Sequence, residues 1–303
     1  MFSFLKKKVK VAVHSGAFHP DDVCAVAILS LHLKRPLKIF RTRDKKVLTK
    51  MDYILDVGGE YNPKEHKFDH HGEGWNEKRP NGVPYAASGL VWKEFGAEIA
   101  GSSEIANFID EKIIQPIDAE DSGVEIYNKI IDKVSPYSFF DYLFAFNPTW
   151  MEKTDCLKAF TFAVFEAKKM LEREIKRASD RMISNDIVKN IYDKTEDKRI
   201  LILDNSYSWK KTVANYPEPL FVVSPKSDGT WNIDTVRKPN AKFERRMYFP
   251  KAWSGKRDEQ LEKITGVKDA IFCHNDIFIA VTRTKNSAIE LAKIALNEGL
   301  KQK

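Results

Sequence analysis

The sequence predicts an α/β protein in which a parallel-sheet N-terminal domain precedes a smaller, mixed α+β C-terminal domain. In the first half, short β-branched runs alternate with apolar helical stretches, which is typical of a parallel sheet covered by helices. A long charged stretch without Gly or Pro follows, and the rest of the chain is rich in strand and hairpin patterns. With 303 residues and about 100–200 residues per domain, we expect two domains, at 1–185 and 186–303.

In the first half, turn residues and acids mark where the predicted strands and helices begin and end. Gly16 follows the first strand, and Gly58-Gly59 follows the third. His19-Pro20 precedes two acids and then an apolar run, which is the pattern of a helix N-terminus. Strands are therefore predicted at 9–14, 37–42 and 53–57, and helices at 21–33, 86–95 and 103–114.

The second half begins with a predicted connecting helix at 154–190. Its apolar residues give way to alternating charges from Lys168 onward, and the domain boundary is placed inside or just after it. Two short turn segments, 225–229 and 274–276, each separate two strand patterns and predict hairpins. The strands are predicted at 199–203, 220–224, 230–236, 270–273 and 277–282, and a last helix at 287–298.

Composition excludes several classes of protein. Hydrophobic residues make up 43% of the chain and charged residues 31%, so the chain as a whole is not disordered. No apolar run approaches the about 18–20 residues of a membrane span. The three dispersed cysteines form no C-x-x-C pair, which argues against a disulfide framework or a thiolate zinc site. Residues 2–5 are too short for the core of a secretory signal, so we expect a cytoplasmic protein that does not enter a membrane.

The net charge of +7 is unevenly distributed. From residue 200 onward there are 18 Lys and Arg against 12 Asp and Glu. A basic C-terminal half suits a phosphate-rich ligand. A solvated lysine surface explains the same excess equally well.

Histidine and aspartate form four clusters, which we expect at strand ends or in loops. The clusters are His14-x4-His19-x-Asp21, Asp56, Asp69-His70-His71 and Asp118-x-x-Asp121. Because the carboxyl ends of parallel strands share one edge of a sheet, the clusters can converge there. Nitrogen and oxygen ligands without sulfur favour Mn²⁺, Mg²⁺ or Fe²⁺ over structural zinc. About seven ligands suit two ions that share a bridging carboxylate.

Each cluster also has a purely structural interpretation. Either Asp21 or Asp22 could be an ordinary helix-start acid, and Asp56 before two glycines could be a turn residue. His32 in mid-helix and His66 among charged residues are predicted to be structural or solvent-facing. The order of the clusters and their placement at strand ends favour the metal site.

The sequence resembles the DHH phosphoesterases, a superfamily named for the motif that stands here as Asp69-His70-His71. Within it, the closer resemblance is to the melanocyte-proliferating-gene exonuclease family, whose members are also called metal-dependent protein hydrolases. The stretches that carry the resemblance span almost the whole chain. They are HSGAFHPDD (14–22), DVGGEYNPKEHKFDHH (56–71), ASGLVWKEFG (87–96), IDAEDSG (117–123), FERRMYFPKAWSGKRDEQL (243–261) and IFCHNDIFIA (271–280).

The resemblance implies two divalent ions, Mn²⁺ in preference to Mg²⁺ or Fe²⁺, and a ligand set for each. For the first ion the implied ligands are His14, His19 and Asp56. For the second they are Asp21, Asp56, His70 and Asp121, with Asp118 as the alternative to Asp121. Asp56 therefore bridges the ions. Three residues are the candidate catalytic residues: Asp56, His71, which would face the substrate phosphate or assist the leaving group, and Asp69, which would orient a histidine ring.

The resemblance also implies that the second domain binds the substrate, in a cleft between the two domains. Guanidinium groups suit phosphate, and the candidates are Arg237, Arg245, Arg246, Arg257 and Arg283, with His274 and Asn275 nearby. The aromatic residues Trp231, Phe243, Tyr248 and Trp253 either stack a base or belong to the core. Many DHH enzymes have Asp where His19 stands, although His is typical of this family. Ala280-Val281 replaces a usual Gly pair, which puts a close approach of phosphate to this backbone in doubt.

The expected function is hydrolysis of RNA or short oligonucleotides by a metal-activated water, from the 3′ end as the resemblance implies. A small-nucleotide phosphatase or pyrophosphatase is the close alternative. A metal-dependent peptide hydrolase is a further one, although no H-E-x-x-H motif is present. A non-catalytic RNA-binding module with a structural metal fits the same residues. The oligomeric state is left open.

Overall fold

The computed structural model describes residues 8–239, 241 and 243–301. The chain divides into two compact units, 1–179 and 180–303. Residues 2–5, where no secretory signal is predicted, lie outside the described residues. Within the described ranges, no helix is both long enough and apolar enough to cross a membrane.

A five-stranded sheet lies at the centre of the first unit. Its strands are β1 (Val9–Val13), β2 (Leu37–Arg41), β3 (Tyr53–Leu55), β4 (Tyr61–Asn62) and β5 (Lys67–Phe68). The order is β2-β1-β3-β5-β4. Strands β2, β1, β3 and β5 are parallel, whereas β4 pairs with β5 antiparallel at the edge. The sheet is therefore mixed, not fully parallel as predicted. The sequence does not predict β4 because a two-residue edge strand leaves no pattern.

Seven helices of the described residues belong to or begin in the first unit. They are α1 (Pro20–Leu33), α2 (Lys45–Leu48), α3 (Ala87–Ala100), α4 (Ser103–Ile109), α5 (Gln115–Asp121), α6 (Phe139–Phe144) and α7 (Cys156–Lys194). A single turn of π-helix, Asp110–Ile114, joins α4 to α5, so the helix predicted at 103–114 continues to Asp121. The helix α7 extends the predicted connecting helix by a few residues and contains the boundary between the two units.

The helix α1 sets the position of the functional side chains. Pro20 occupies its first turn, and the two acids that follow are favoured there by the helix dipole. Every residue from 20 to 29 is buried, which explains a continuous apolar run where a surface helix would show one apolar stripe. The helix therefore lies inside the unit, and its acidic first turn is buried with it.

The second unit contains a second mixed sheet. Its strands are β6 (Ile200–Ile202), β7 (Phe221–Pro225), β8 (Trp231–Thr235), β9 (Ala270–Cys273) and β10 (Ile279–Thr282), and its helices are α8 (Lys210–Ala214), α9 (Asp258–Thr265) and α10 (Lys285–Lys301). The order is β6-β7-β8-β10-β9, with only β6 and β7 parallel. Both predicted hairpins are present. The core contains Phe221, Ile233, Trp253 and Leu291. Together the two sheets confirm the α/β class.

Candidate metal centre

Histidine and aspartate side chains from separate segments converge in the first unit. They form three groups in which the potential ligand atoms lie within 4.8 Å of one another. The groups are His14, Asp22 and Asp56; Asp56, His70 and His71; and His19, Asp21 and Asp121. We call these eight side chains the His/Asp cluster. It contains all six residues of the predicted ligand set, and Asp56 belongs to two of its groups.

Three of the segments reach the cluster directly from parallel strands. His14 follows β1, Asp56 follows β3, and His70 lies two residues beyond β5. Adjacent parallel strands end at one edge of the sheet, so residues just beyond their carboxyl ends meet there. Asp56 Oδ2 lies 3.4 Å from His14 Nε2, and Asp56 Oδ1 lies 3.3 Å from His70 Nε2.

Asp56 adopts a left-handed backbone conformation, with φ of 52°. This region is strained for most residues other than glycine, and such strain is concentrated at functional sites. The Asp56 N–H donates to the Phe68 carbonyl at 2.9 Å, which ties the turn to β5. The chain therefore leaves β3 in a sharp turn with the carboxylate held between two histidines.

The first turn of α1 supplies Asp21 and Asp22, whose side chains are completely buried. Asp22 Oδ2 lies 3.1 Å from His14 Nε2, and Asp21 Oδ2 lies 3.9 Å from His70 Nε2. Asp22 is absent from the predicted ligand set, where it is considered only as a helix-start acid. The sequence signal that could have added Asp22 to the ligand set is the pair of adjacent acids in the first turn of a helix that has no polar face.

The fourth predicted cluster lies on a helix, not at a strand end or in a loop. Asp121 is the last residue of α5. Its Oδ1 lies 3.4 Å from His19 Nδ1, and its Oδ2 lies 3.5 Å from His70 Nε2. The structure thus places His19 with Asp21 and Asp121, although its ring centroid is also 5.5 Å from that of His14.

Asp118, the alternative to Asp121, has other partners. Its buried carboxylate accepts hydrogen bonds from Ser88 Oγ at 2.6 Å and Gly89 N at 3.0 Å, and it lies 2.9 Å from Arg79 Nη1. Burial raises the pKa of Asp118 to about 7 despite the opposing charge of Arg79. Asp118 therefore holds α5 in place, while Asp121 lies in the cluster.

Replacing Gly89 with alanine is expected to destabilise the protein. A Cβ atom on Gly89 would lie 1.8 Å from Asp118 Oδ2 and 2.7 Å from Arg79 Nη2. Because Asp118 is held by Ser88 and the Gly89 backbone, and Arg79 by Asp110, the new Cβ atom would displace buried hydrogen-bonded groups. We expect a loss of about 1–3 kcal/mol in the free energy of unfolding, measured by urea denaturation. Alanine alone would stabilise a helix relative to glycine by up to about 1 kcal/mol. A net loss of stability would therefore be due to the clash. A variant as stable as the wild type, or more stable, would contradict this interpretation.

His71 lies at the rim of the cluster with an exposed side chain. Its Nδ1 donates to Asp69 Oδ1 at 2.8 Å and lies 3.3 Å from Asp56 Oδ1. Asp69 also accepts from the backbone N–H groups of His71 and Gly59. The two carboxylates, Asp56 first and then Asp69, outweigh burial and raise the pKa of His71 to about 10. Asp69 therefore orients a protonated imidazole.

The electrostatics of the cluster favour a bound cation. Burial, reinforced by the charge of Asp56, raises the pKa of Asp21 well above its usual value. Burial also raises the pKa of Asp22 to about 6, against the effect of His14. Burial would raise the pKa of Asp56 too, but His70 and His71 lower it to about 2. Several carboxylates thus share one site in which water cannot screen their repulsion.

The unsatisfied atoms of the cluster fit divalent metal ions. The buried atoms that make no hydrogen bond among the described residues include His14 Nε2, both carboxylate oxygens of Asp21 and of Asp22, Asp56 Oδ1 and His70 Nε2. A buried polar group without a partner costs about 1–3 kcal/mol, and here such groups face one another. The atoms that could ligate a metal are oxygen and nitrogen without sulfur, a set that suits Mn²⁺, Mg²⁺ or Fe²⁺.

Three of the predicted substrate-binding residues share surroundings in the second unit. Arg237 and Arg245 pair across an isolated antiparallel bridge. The Arg245 guanidinium lies 4.8 Å from the centre of the Phe278 ring, and the His274 ring lies 4.5 Å from the same ring. One arginine and one histidine therefore lie against the same aromatic ring, and the bridge places Arg237 opposite that arginine on the adjacent backbone segment. Their contact with substrate stays a prediction.

The other predicted arginines have separate environments. Arg246 donates to three backbone carbonyls of residues 214–219 and so holds that segment. Arg257 stacks over an aromatic ring of β9 at 4.4 Å. Arg283 lies 3.9 Å from the carboxylate of Asp258, both side chains being exposed. The aromatic residues considered for base stacking are exposed at Phe243 and Tyr248, half buried at Trp231 and buried at Trp253.

His32 and His66 lie outside the His/Asp cluster. The His32 ring stacks on Phe95 at 4.1 Å, and the His66 ring stacks on Tyr53 at 4.2 Å. His32 Nδ1 also lies 3.2 Å from a carboxylate oxygen of Glu98. Both histidines have the structural surroundings that their sequence positions predict.

Comparison with known proteins identifies relatives along almost the whole chain. The MYG1 exonuclease family model, described as an uncharacterised protein family (UPF0160), matches residues 10–296. The chain is 31% identical over 299 residues to the MYG1 protein of Chlamydia muridarum (strain MoPn / Nigg), covering 96% of each protein. It is 26% identical over 324 residues to the human MYG1 exonuclease, covering 95% of this chain and 85% of the human protein.

One similar solved structure is described as the exonuclease RecJ bound to manganese. The match covers 95% of this chain and 89% of that chain, at 11% sequence identity and a TM-score of 0.26. A similarity of that size carries no argument about fold or function.

Proposed function

Because the chain belongs to the MYG1 exonuclease family, we propose that it is a metal-dependent phosphodiesterase of the DHH type. Within that activity, we propose a 3′–5′ exonuclease that degrades RNA or short oligonucleotides. The observation that carries the proposal is the His/Asp cluster, whose buried lone pairs converge without hydrogen-bond partners. The name of the human relative supports the choice of nucleic acid over other substrates.

The cluster offers enough ligands for two divalent ions, with Mn²⁺ as the preferred metal. The residues that would hold them are His14, His19, Asp21, Asp56, His70 and Asp121, and the position of Asp22 adds it to this set. Asp56 would be shared, because it lies in two of the three groups. Bound ions of this kind supply an activated water nucleophile and positive charge opposite the phosphate oxygens.

The protein's own side chains would position the substrate and move a proton. His71 is protonated near neutral pH and held by Asp69, so it is suited to donate a hydrogen bond to the scissile phosphate or a proton to the leaving oxygen. Asp69 would act through His71 by fixing the direction of its ring. The arginines and His274 of the second unit would bind the rest of the substrate.

Cleavage of a 5′-labelled RNA oligonucleotide in the presence of Mn²⁺ tests the proposal. We expect a ladder that shortens progressively from the 3′ end and is absent with the Asp56→Asn variant. Parallel reactions with pyrophosphate, a nucleoside monophosphate and a peptide separate the alternative hydrolases. Metal-dependent RNA binding without turnover by the wild type would instead favour a non-catalytic module.

Metal affinity is expected to fall when the pH drops through about 6. Asp22, whose pKa is about 6, takes up a proton in that range, and burial also raises the pKa of Asp21 well above its usual value. Protons then compete with the metal, at about tenfold in affinity per pH unit for each proton displaced. Calorimetric titration with Mn²⁺ at pH 7.5 and pH 5 measures the effect. Equal affinities at the two values would show that these carboxylates are not ligands.

A further inference from the structure

A pocket of about 870 Å³ opens beside the His/Asp cluster within the first unit. Its volume lies within the range of about 300–1,000 Å³ typical of small-ligand sites. Asp56, Asp69 and His71 line one part of it, and Arg43 and Lys45 line another. A ligand in this pocket would therefore contact both the cluster and two basic side chains.

The pocket has an apolar floor next to β3. Leu48 and Val57 are buried there, and Met51 and Ile54 pack against them half buried. The helix α2 is a single turn and contributes Leu48 to this floor. Every nucleobase has an apolar π face, so a floor of this kind accepts a base without selecting its identity.

The basic residues of the pocket differ in whether an acidic side chain already neutralises their charge. Lys67 is paired with Glu60 at 2.8 Å and Glu65 at 2.6 Å, so its charge is already neutralised and the three side chains together keep one negative charge. Arg43 and Lys45 are exposed, and no ion pair links either one to an acid in the part of the chain that the structure describes. They are the cations free to bind an anionic group of a ligand, and guanidinium and ammonium groups both suit phosphate.

We propose that this pocket binds the nucleoside on the 5′ side of the scissile bond. Its base lies on the floor formed by Leu48, Met51 and Ile54, and the phosphate on its own 5′ side lies against Arg43 and Lys45. The inference rests on the proposed 3′–5′ exonuclease activity and names its substrate class. That class is an oligonucleotide with a phosphate on each side of this nucleoside, so pyrophosphate and isolated phosphate esters leave the pocket empty.

Two dinucleotides test the proposal directly. The 5′-phosphorylated diadenylate pApA carries the second phosphate, and ApA lacks it. We expect the wild type to prefer pApA in kcat/KM by about tenfold, the value of one charge-assisted contact of roughly 1.4 kcal/mol. The R43A/K45A double variant should lose most of that preference, mainly through a higher KM for pApA. Lys46→Ala, which removes a neighbouring charge of α2 outside the pocket, should retain it.

A binding measurement provides a readout that does not depend on turnover. With Asp56→Asn as the background, the affinity for labelled pApA should depend on salt, and adding R43A/K45A should reduce the slope of log K against log salt by roughly 0.7. An unchanged slope, or a preference for pApA that survives in R43A/K45A, would overturn the proposal that this pocket binds the nucleoside and its 5′ phosphate. If the wild type hydrolyses neither dinucleotide nor bis(4-nitrophenyl) phosphate in Mn²⁺, the proposed activity itself is wrong.

Discussion

Replacing Asp56 with asparagine is expected to abolish metal-dependent hydrolysis without unfolding the protein. Asparagine has the same shape and tolerates the left-handed conformation that residue 56 requires. Its backbone N–H can still donate to the carbonyl of Phe68. The substitution therefore removes the negative charge shared by two groups of the cluster and replaces one potential ligand oxygen with an NH2 group. We expect a loss in kcat of roughly a thousandfold or more, at least that of one preorganised electrostatic group.

Metal binding can be measured separately from activity in the same variant. Mn²⁺ should raise the melting temperature of the wild type, because a ligand that binds only the folded state stabilises it by mass action. The rise should be strongly reduced in Asp56→Asn. Wild-type turnover by this variant would show that Asp56 is not at the reacting centre.

Asp52→Asn is the matched control at the other end of β3. Asp52 accepts a hydrogen bond from the Lys10 backbone at 2.7 Å, and an asparagine oxygen can accept it equally well. This variant makes the same chemical change outside the His/Asp cluster, so it should keep both the activity and the thermal shift. A loss in both variants would indicate damage to the sheet instead of loss of a ligand.

Most of the His/Asp cluster is predictable because it depends on topology more than on detailed packing. His14 and Asp56 each follow a predicted parallel strand, so recognising those two strands is enough to bring them together. His70 follows β5, which is too short to predict, and only its place in the Asp69-His70-His71 motif indicates that it belongs to the site. Asp22 is different, because an acid in the first turn of a helix is solvated or buried depending on whether that turn faces solvent or the protein interior. Only the packing of α1 inside the unit settles that its first turn faces the cluster.

Several elements leave too little pattern in the sequence to be predicted. The strands β4 and β5 have two residues each, and α8 has five. No apolar period can develop over such lengths. The extension of the fourth helix through a π turn to Asp121 is also not visible, because the Pro in the segment 115–121 favours a helix boundary there. Tertiary contacts, not local propensity, determine these segments.

The buried arginine beneath α5 could not be predicted from its local sequence. Arg79 lies in a charged loop after Lys78, and nothing in that pattern shows that one side chain is exposed and the next is buried. The structure gives Arg79 two hydrogen bonds to Asp110, one to the Pro84 carbonyl and a contact with the Tyr85 ring at 4.0 Å. Its charge also lies beside the completely buried Asp118.

At a pH above the pKa of Asp118, replacing Arg79 with methionine is expected to cost about 3–5 kcal/mol in the free energy of unfolding, because the buried carboxylate loses its counter-charge and must stay unpaired or take up a proton. Urea denaturation measures the loss. Lys78→Met, which removes an exposed charge one residue earlier, should change stability by less than about 0.5 kcal/mol. Adding Asp118→Asn to Arg79→Met should recover part of the loss, since it removes the charge that has become unpaired. Equal stability of Arg79→Met and Lys78→Met would show that the ion pair between Arg79 and Asp118 does not hold α5.

The same variant is expected to weaken metal binding as well as stability. Asp118 and Asp121 lie three residues apart on α5, so the ion pair that fixes one carboxylate also fixes the direction of the other. Positioning groups of this kind typically affect metal affinity by about 10–100-fold. A merely structural role for Arg79 predicts that Mn²⁺ affinity, measured well below the melting temperature, is unchanged. A role in positioning predicts a lower affinity that Asp118→Asn does not restore, because the neutral side chain no longer anchors the helix to residue 79.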